Sequence, residues 1–219
     1  MTGIRDQQQS KPRTDRSAPS ARLIRHRSGH VRLLLLALLP PLALTQAVWS
    51  EGGVVHAALG WLGYVAVVAC VLGRAWCSVY IAGRKGRDLV DHGPYSVVRN
   101  PLYAFSLVGL TGIGLQTGTL TWAALLLLGG GLYYKAVVRR EEGCLFEAFP
   151  SEYRRYLTAT PRWLPDTSLW RDVEEVTIRP ALVARTLLDG TAFFAAFPLL
   201  EALGHAHAAG LLPALLSLP

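Results

Sequence analysis

Between Val54 and Gly73 the chain runs VVHAALGWLGYVAVVACVLG, twenty residues without a formal charge. A hydrocarbon core takes about twenty helical residues to cross. Every backbone N–H and C=O inside it must be satisfied within the segment, so such a run is read as a membrane-spanning helix. The same reading applies to VRLLLLALLPPLALTQAVW, Val31 to Trp49, and to Thr119 to Val138. Leu102 to Gln116 is a shorter segment, separated from its successor only by a turn around Thr117 and Gly118. A fifth runs from about Ala181 to Leu200, and a weaker apolar tail follows to Pro219. The expected fold class is therefore all-α: a polytopic transmembrane helical bundle of about five helices, six if the tail also spans. With 51% hydrophobic and 17% charged residues and a mean hydropathy of +0.29, the composition suits a membrane protein better than a soluble domain.

Charge placement orients the bundle, because loops rich in Lys and Arg stay on the cytoplasmic side. Of 22 such residues, eight precede or begin the first span, five lie between Arg74 and Arg99, and nine between Lys135 and Arg185. The connections around Glu51 and Thr117 carry none. The N-terminus is accordingly assigned to the cytoplasm and the chain to the plasma (inner) membrane. The net charge of +7 reflects this bias and attraction to anionic membrane lipids, and it needs no nucleic-acid partner. Residues 1–28, polar and rich in Arg, Ser, Gln and Pro, are expected to form a disordered basic tail. The apolar run after them is too long for a signal peptide, lacks a small-residue cleavage site and reads as an uncleaved anchor. Pro40 and Pro41 are expected to kink or break it.

Cys70, Cys77 and Cys144 form no CxxC and read as free thiols without a metal. The glycines of GLTGIGLQTG, Gly109 to Gly118, follow no strand, so close helix packing explains them better than a phosphate loop. The same packing reading is applied to Gly129, Gly130 and Gly131. His205 and His207 stand alone beyond the fifth span, and no metal site is assigned to them.

What remains is the cytoplasmic face. Arg74 to Arg87 looks like a helix leaving the membrane, with Trp76 and Tyr80 at the interface. It is followed by LVDHGPYSVVRNPLY, Leu89 to Tyr103, in which His92–Tyr95 should turn and Pro101 is placed to start the next helix. Polar residues and chain breaks this close to apolar spans mark a functional site. The fourth helix ends in KAVVRREEGCLFEAF. Taken alone, Arg139, Arg140, Glu141 and Glu142 form a snorkelling collar with solvated acids. FPSEYRRYLTATPRWLP then repeats Phe149, Tyr153, Tyr156 and Leu157 at helical spacing, as an interfacial helix or a lid over the third and fourth helices.

The order GPYxxxRxPxY, apolar hairpin, REE, FxxEYxxY and PRWLP resembles the isoprenylcysteine carboxyl methyltransferase family and its phospholipid methyltransferase relatives, over roughly Arg74 to Pro165. The resemblance implies an integral-membrane enzyme that binds S-adenosylmethionine in a cytoplasmic pocket and methylates a lipophilic small molecule or a lipidated acceptor. It divides the chain into a tail (1–28), N-terminal helices (29–82), a methyltransferase core (83–165) and a C-terminal transmembrane region (166–219). Carried over, the cofactor residues are Leu89, Val90, His92, Gly93, Tyr95, Asn100, Pro101, Leu102, Tyr103, Glu141 and Glu142. Arg99 and Tyr103 are the catalytic candidates, with His92 or Tyr103 as the group to take a proton if the acceptor requires it. Two positions depart from the pattern. Asn100 replaces a His, keeping hydrogen bonding but losing a titratable group. Val137 replaces a substrate-binding Arg one turn before Glu141, which leaves Arg139, Arg140 or Arg99 to bind an acceptor carboxylate. Two other readings keep the fold: a non-catalytic membrane transport or assembly protein, since broken helices also line transport sites, and a nicotinamide-dependent enzyme like the distantly similar sterol reductases.

Overall fold

The computed structural model describes residues 38–50, 52–84 and 88–219. Ala43–Pro219 is one compact unit, and of the preceding unit, residues 1–42, only the helical residues 38–42 are described. The expected tail and most of the first span lie outside the described residues. Val54–Ile81 forms α1, Pro94–Val97 the single-turn α2, Pro101–Gln116 α3, Leu120–Ala148 α4, Pro150–Ala159 α5, Pro180–Thr191 α6 and Ala196–Ala208 α7. Among the described residues three stretches are long and apolar enough to cross a membrane, namely α1, α4 and the α6–α7 stretch Pro180–Ala208, with α3 a shorter apolar helix beside them. The chain is an integral membrane protein.

Three details differ from the sequence reading. The fold is mostly helical but adds one small sheet: Thr45–Ala47 (β1) pairs in parallel with Leu216–Leu218 (β2), Thr45 opposite Leu216. The described end of the first apolar run and the apolar tail thus finish as paired strands, which satisfies backbone groups that helices would otherwise satisfy. The tail therefore supplies no sixth helix beyond α7. The fifth span is broken at 192–195, because Pro198 has no N–H to offer the Phe194 carbonyl. The bonds Phe193 N to Gly190 O and Phe197 N to Phe194 O tighten the chain across the break.

α3 packs against both α1 and α4, and α6 packs on α1. Its start follows from Pro101 at the first helical position, with Asn100 O accepting from Tyr103 N and Ala104 N. Its end and the start of α4 follow from Gly118, at φ +72°, and Thr119, whose hydroxyl accepts from Trp122 N at 3.3 Å. The sheet sits at this turn end, where Trp122 Nε1 donates to Thr45 Oγ1 at 2.9 Å.

Small residues set the helix spacing, as expected for GLTGIGLQTG. A Cβ added to Gly112 would lie 2.7 Å from Gly63 O, and one on Gly114 2.4 Å from Ala123 Cα. Of Gly129–Gly131 only Gly130 packs, against Leu110, while its two neighbours face open space; a helix face directed at α3 cannot include three consecutive positions. Gly114→Ala is expected to cost about 2 kcal/mol by overpacking, seen as a lower unfolding temperature in detergent, with Gly131→Ala nearly neutral. Equal effects at the two positions would contradict this packing.

Candidate functional site

The Leu89–Tyr103 stretch lies at the other end of the bundle, where α1 ends, α3 begins and α4 leaves the apolar zone. Gly93 makes its turn possible. It has φ +58°, and a Cβ there would fall 2.3 Å from the Tyr80 ring, so a side chain is excluded twice. The turn delivers Tyr95 into a cluster with Cys77, Tyr80 and Val90, flanked by Leu102 and Phe105. Burial, then the neighbouring Cys77, Tyr156, Tyr103 and Glu141, holds the Tyr95 hydroxyl well above the usual phenol range, so it is a neutral O–H. Its oxygen is enclosed and has no hydrogen-bond partner among the described residues.

Beside it, Tyr103 donates to Glu141 Oε1 at 2.9 Å, and its ring lies 4.9 Å from that of Tyr134. The adjacent acid does something different. Glu142 is buried, and both its oxygens are taken by Arg162, through Nε to Oε1 at 3.1 Å and through Nη2 to Oε2, while Arg99 Nη1 approaches Oε1 at 3.4 Å. A helix turns about 100° per residue, so adjacent glutamates face different neighbours. Arg162, from PRWLP, completes this triad, and its bond to Glu142 raises its own pKa. Burial and then the Glu142 charge push the nearby Tyr153 phenol up to about 12.

The segment after α5 clasps the motif from outside. Arg99 N donates to Pro161 O, Asp166 N to Val97 O, Gly93 N to Arg171 O and Arg171 N to Ser96 Oγ. Tyr80 donates to Asp172 Oδ2 at 3.0 Å, and Trp170 stacks on Trp76 at 5.8 Å. From α5 itself, Tyr156 donates to Tyr95 O at 2.7 Å. Tyr156→Phe is expected to cost about 1 kcal/mol and to loosen the Tyr95 turn, measurable as faster amide exchange over residues 93–97. Unchanged exchange there would remove Tyr156 from any positioning role.

Of the predicted site residues, the fold brings Val90, Tyr95, Leu102, Tyr103 and Glu141 together, with Gly93 shaping the turn and Pro101 buried at the head of α3. Leu89 is half-buried at the start of the stretch. Asn100 turns its amide to Arg162 O at 3.4 Å. His92 lies against Tyr80, with Nε2 3.3 Å from Arg84 Nη1 and Nδ1 3.6 Å from Asp91 Oδ1. Since a guanidinium only donates, Nε2 is the acceptor in that contact. Arg99 and Glu142 are held in the triad. Arg139 and Arg140 are exposed, whereas Val138 and Glu142 are buried, and Val137 is half-buried. Sequence reasoning left Arg162 and the strap Trp170–Asp172 without roles. Arg162 stood within the PRWLP motif itself, and the signal for the strap was a run of aromatic and charged residues directly after it.

Residues 53–152 match the phospholipid methyltransferase family. Over 196 residues the chain is 37% identical to the cobalt-zinc-cadmium resistance protein CzcN of Cupriavidus metallidurans, covering 90% of each. It is also 36% identical over 197 residues to the nickel-cobalt-cadmium resistance protein NccN of Alcaligenes xylosoxydans xylosoxydans, covering 90% of this chain and 92% of that one. The chain belongs to one family with these two proteins, and its central region is similar to the phospholipid methyltransferase domain. That domain spans α1 to the start of α5, so it contains the Tyr95, Tyr103 and Glu141 cluster but not Arg162 or the strap. No solved structure matches the chain significantly.

Proposed function

We propose that the protein is a membrane methyltransferase that uses S-adenosylmethionine and methylates a lipophilic small molecule or a lipidated acceptor, in the manner of protein-S-isoprenylcysteine carboxyl methyltransferases. The observation that carries this reading is the convergence, inside the region similar to the phospholipid methyltransferase domain, of the enclosed Tyr95 hydroxyl with the Tyr103–Glu141 pair. The donor set fits the cofactor: a carboxylate for an ammonium group or ribose hydroxyls, a phenol without a partner, and apolar walls from Val90 and Leu102. Glu142 belongs to this reading as the residue that fixes the Arg99 and Arg162 side of the site. The charge bias of the loops puts this end of the bundle on the cytoplasmic side.

When bound, S-adenosylmethionine supplies an electrophilic methyl group. The chain's own contribution is to align the reactants, which can account for much of the acceleration. Tyr103 orients the Glu141 carboxylate by donating to it. The Arg99–Glu142–Arg162 triad and the strap hold the turn in place and cover it from water. A carboxylate acceptor requires no base. For an amine or thiol, the proton would pass to the Tyr103 hydroxyl as its own proton moves to the Glu141 carboxylate, since the His92 Nε2 lone pair is turned to Arg84.

The relatives are named for resistance to cobalt, zinc, cadmium and nickel, and we place the methylation in that setting. Their names also support a second reading, a non-catalytic membrane protein of metal resistance that has kept the fold. One assay separates the two. Protein purified with lipid is expected to bind S-adenosylmethionine and to transfer labelled methyl to a component of fractionated native membranes. Binding without transfer supports the second reading, and absence of binding overturns the first.

A further inference from the structure

Arg74 lies in α1 seven residues before its end, on the same face as the buried Cys70 and Cys77. As the continuation of an apolar helix it would be expected to snorkel outward, yet it turns inward. Its Nη1 donates to Ser106 Oγ of α3, and its Nε is enclosed without an acceptor among the described residues. Tyr134 of α4 is close enough to interact with both Ser106 and Arg74. Ser106 spends its own hydrogen on Leu102 O at 2.8 Å. Among the described residues no carboxylate pairs with Arg74, in contrast to Glu142, which engages two arginines.

A guanidinium has five N–H donors and a fixed charge. Within a membrane segment such a group is costly and is normally paired or used. A serine hydroxyl satisfies one donor and leaves the charge uncompensated. Arg74 is only half-buried, so part of its surface stays accessible. A continuous set of side chains joins it to the proposed cofactor end: Glu141 to Tyr103, Tyr103 against Tyr134, then Ser106 and Arg74. Glu141 and Tyr134 are two helical turns apart on α4, about 10 Å of rise. The negative and positive ends of this set lie at different depths.

We propose that Arg74 anchors the acceptor by binding an anionic oxygen group, carboxylate or phosphate, carried on an apolar chain. This rests on the methyltransferase reading for the word acceptor, while the anion site itself does not. Arg74 thereby supplies the cation that is missing at Val137, from a different helix.

The test measures binding of palmitate, lysophosphatidic acid and the neutral 1-hexadecanol to the full-length protein in lipid–detergent micelles, with and without S-adenosylmethionine. The wild type is expected to prefer the two anions over the alcohol by about tenfold or more, as befits a charge-assisted contact. Arg74→Gln, which can still donate to Ser106, is expected to level the three ligands, and Arg74→Lys to keep part of the preference. Because each variant is compared with its own alcohol affinity, a general loss of stability does not imitate the result. Competition by soluble acetate or phosphate at the same concentrations as the lipids would reveal a simple ion site and overturn the membrane-borne part. An unchanged preference in Arg74→Gln, or no preference in the wild type, overturns the proposal. If the preference holds but S-adenosylmethionine does not bind, the methyltransferase reading fails and the Arg74 site stands.

Discussion

Glu141→Gln is expected to weaken S-adenosylmethionine binding by about tenfold to a hundredfold, the loss of one charged hydrogen bond worth about 1.5–3 kcal/mol. The substitution preserves shape and leaves an amide oxygen for the Tyr103 hydroxyl, now 2.9 Å from the carboxylate. It removes only the negative charge. Tyr103→Phe should weaken binding less, because it frees the carboxylate orientation without deleting the charge. Equilibrium binding of labelled cofactor in a lipid-containing preparation measures both. If Glu141→Gln binds as the wild type does, the carboxylate is not a cofactor ligand.

Glu142→Ala should act on stability instead. It leaves Arg99, with a side chain only 13% exposed, and Arg162 facing each other without the intervening carboxylate. Removing one partner of a buried ion pair typically costs 3–5 kcal/mol. Because Arg162 is 37% exposed and can rehydrate, the low end, about 3 kcal/mol, applies. Thermal unfolding in detergent should show the loss. The double change Glu142→Leu with Arg162→Met should recover much of it, since apolar replacement of a buried pair is often neutral. A Glu142→Ala protein as stable as the wild type would mean that the triad contributes no net stability. Adjacent glutamates thus predict opposite phenotypes, ligand binding at Glu141 and folding at Glu142.

The helices were legible because the membrane simplifies the code: twenty uncharged residues leave the backbone few alternatives. α3 lies within a residue of the expected segment, and α4 begins where expected and runs on past Val138 to Ala148, with Pro101 and the Thr117–Thr119 turn marking their boundaries. The core motifs were legible for a similar reason, since Gly93, Tyr95, Tyr103 and Glu141 stand in a recognisable order. The pairing of β1 with β2 was not, because the partners are 171 residues apart and three-residue strands carry no period. Nor was the strap, whose bonds to the motif are mostly made by backbone groups that every residue possesses.

By itself the sequence determined that this chain lives in a membrane, how its basic loops are distributed, and which short stretch interrupts the apolar helices with chemistry. Only the tertiary structure decided how charges are partnered. Glu141 meets Tyr103, Glu142 meets Arg99 and Arg162, and Arg74 meets a serine. Periodicity along a helix reports which way a side chain points, but the neighbour it meets comes from another helix. Inside a bundle where water does not compensate charge, that neighbour decides whether an ionisable group holds the fold or serves a ligand.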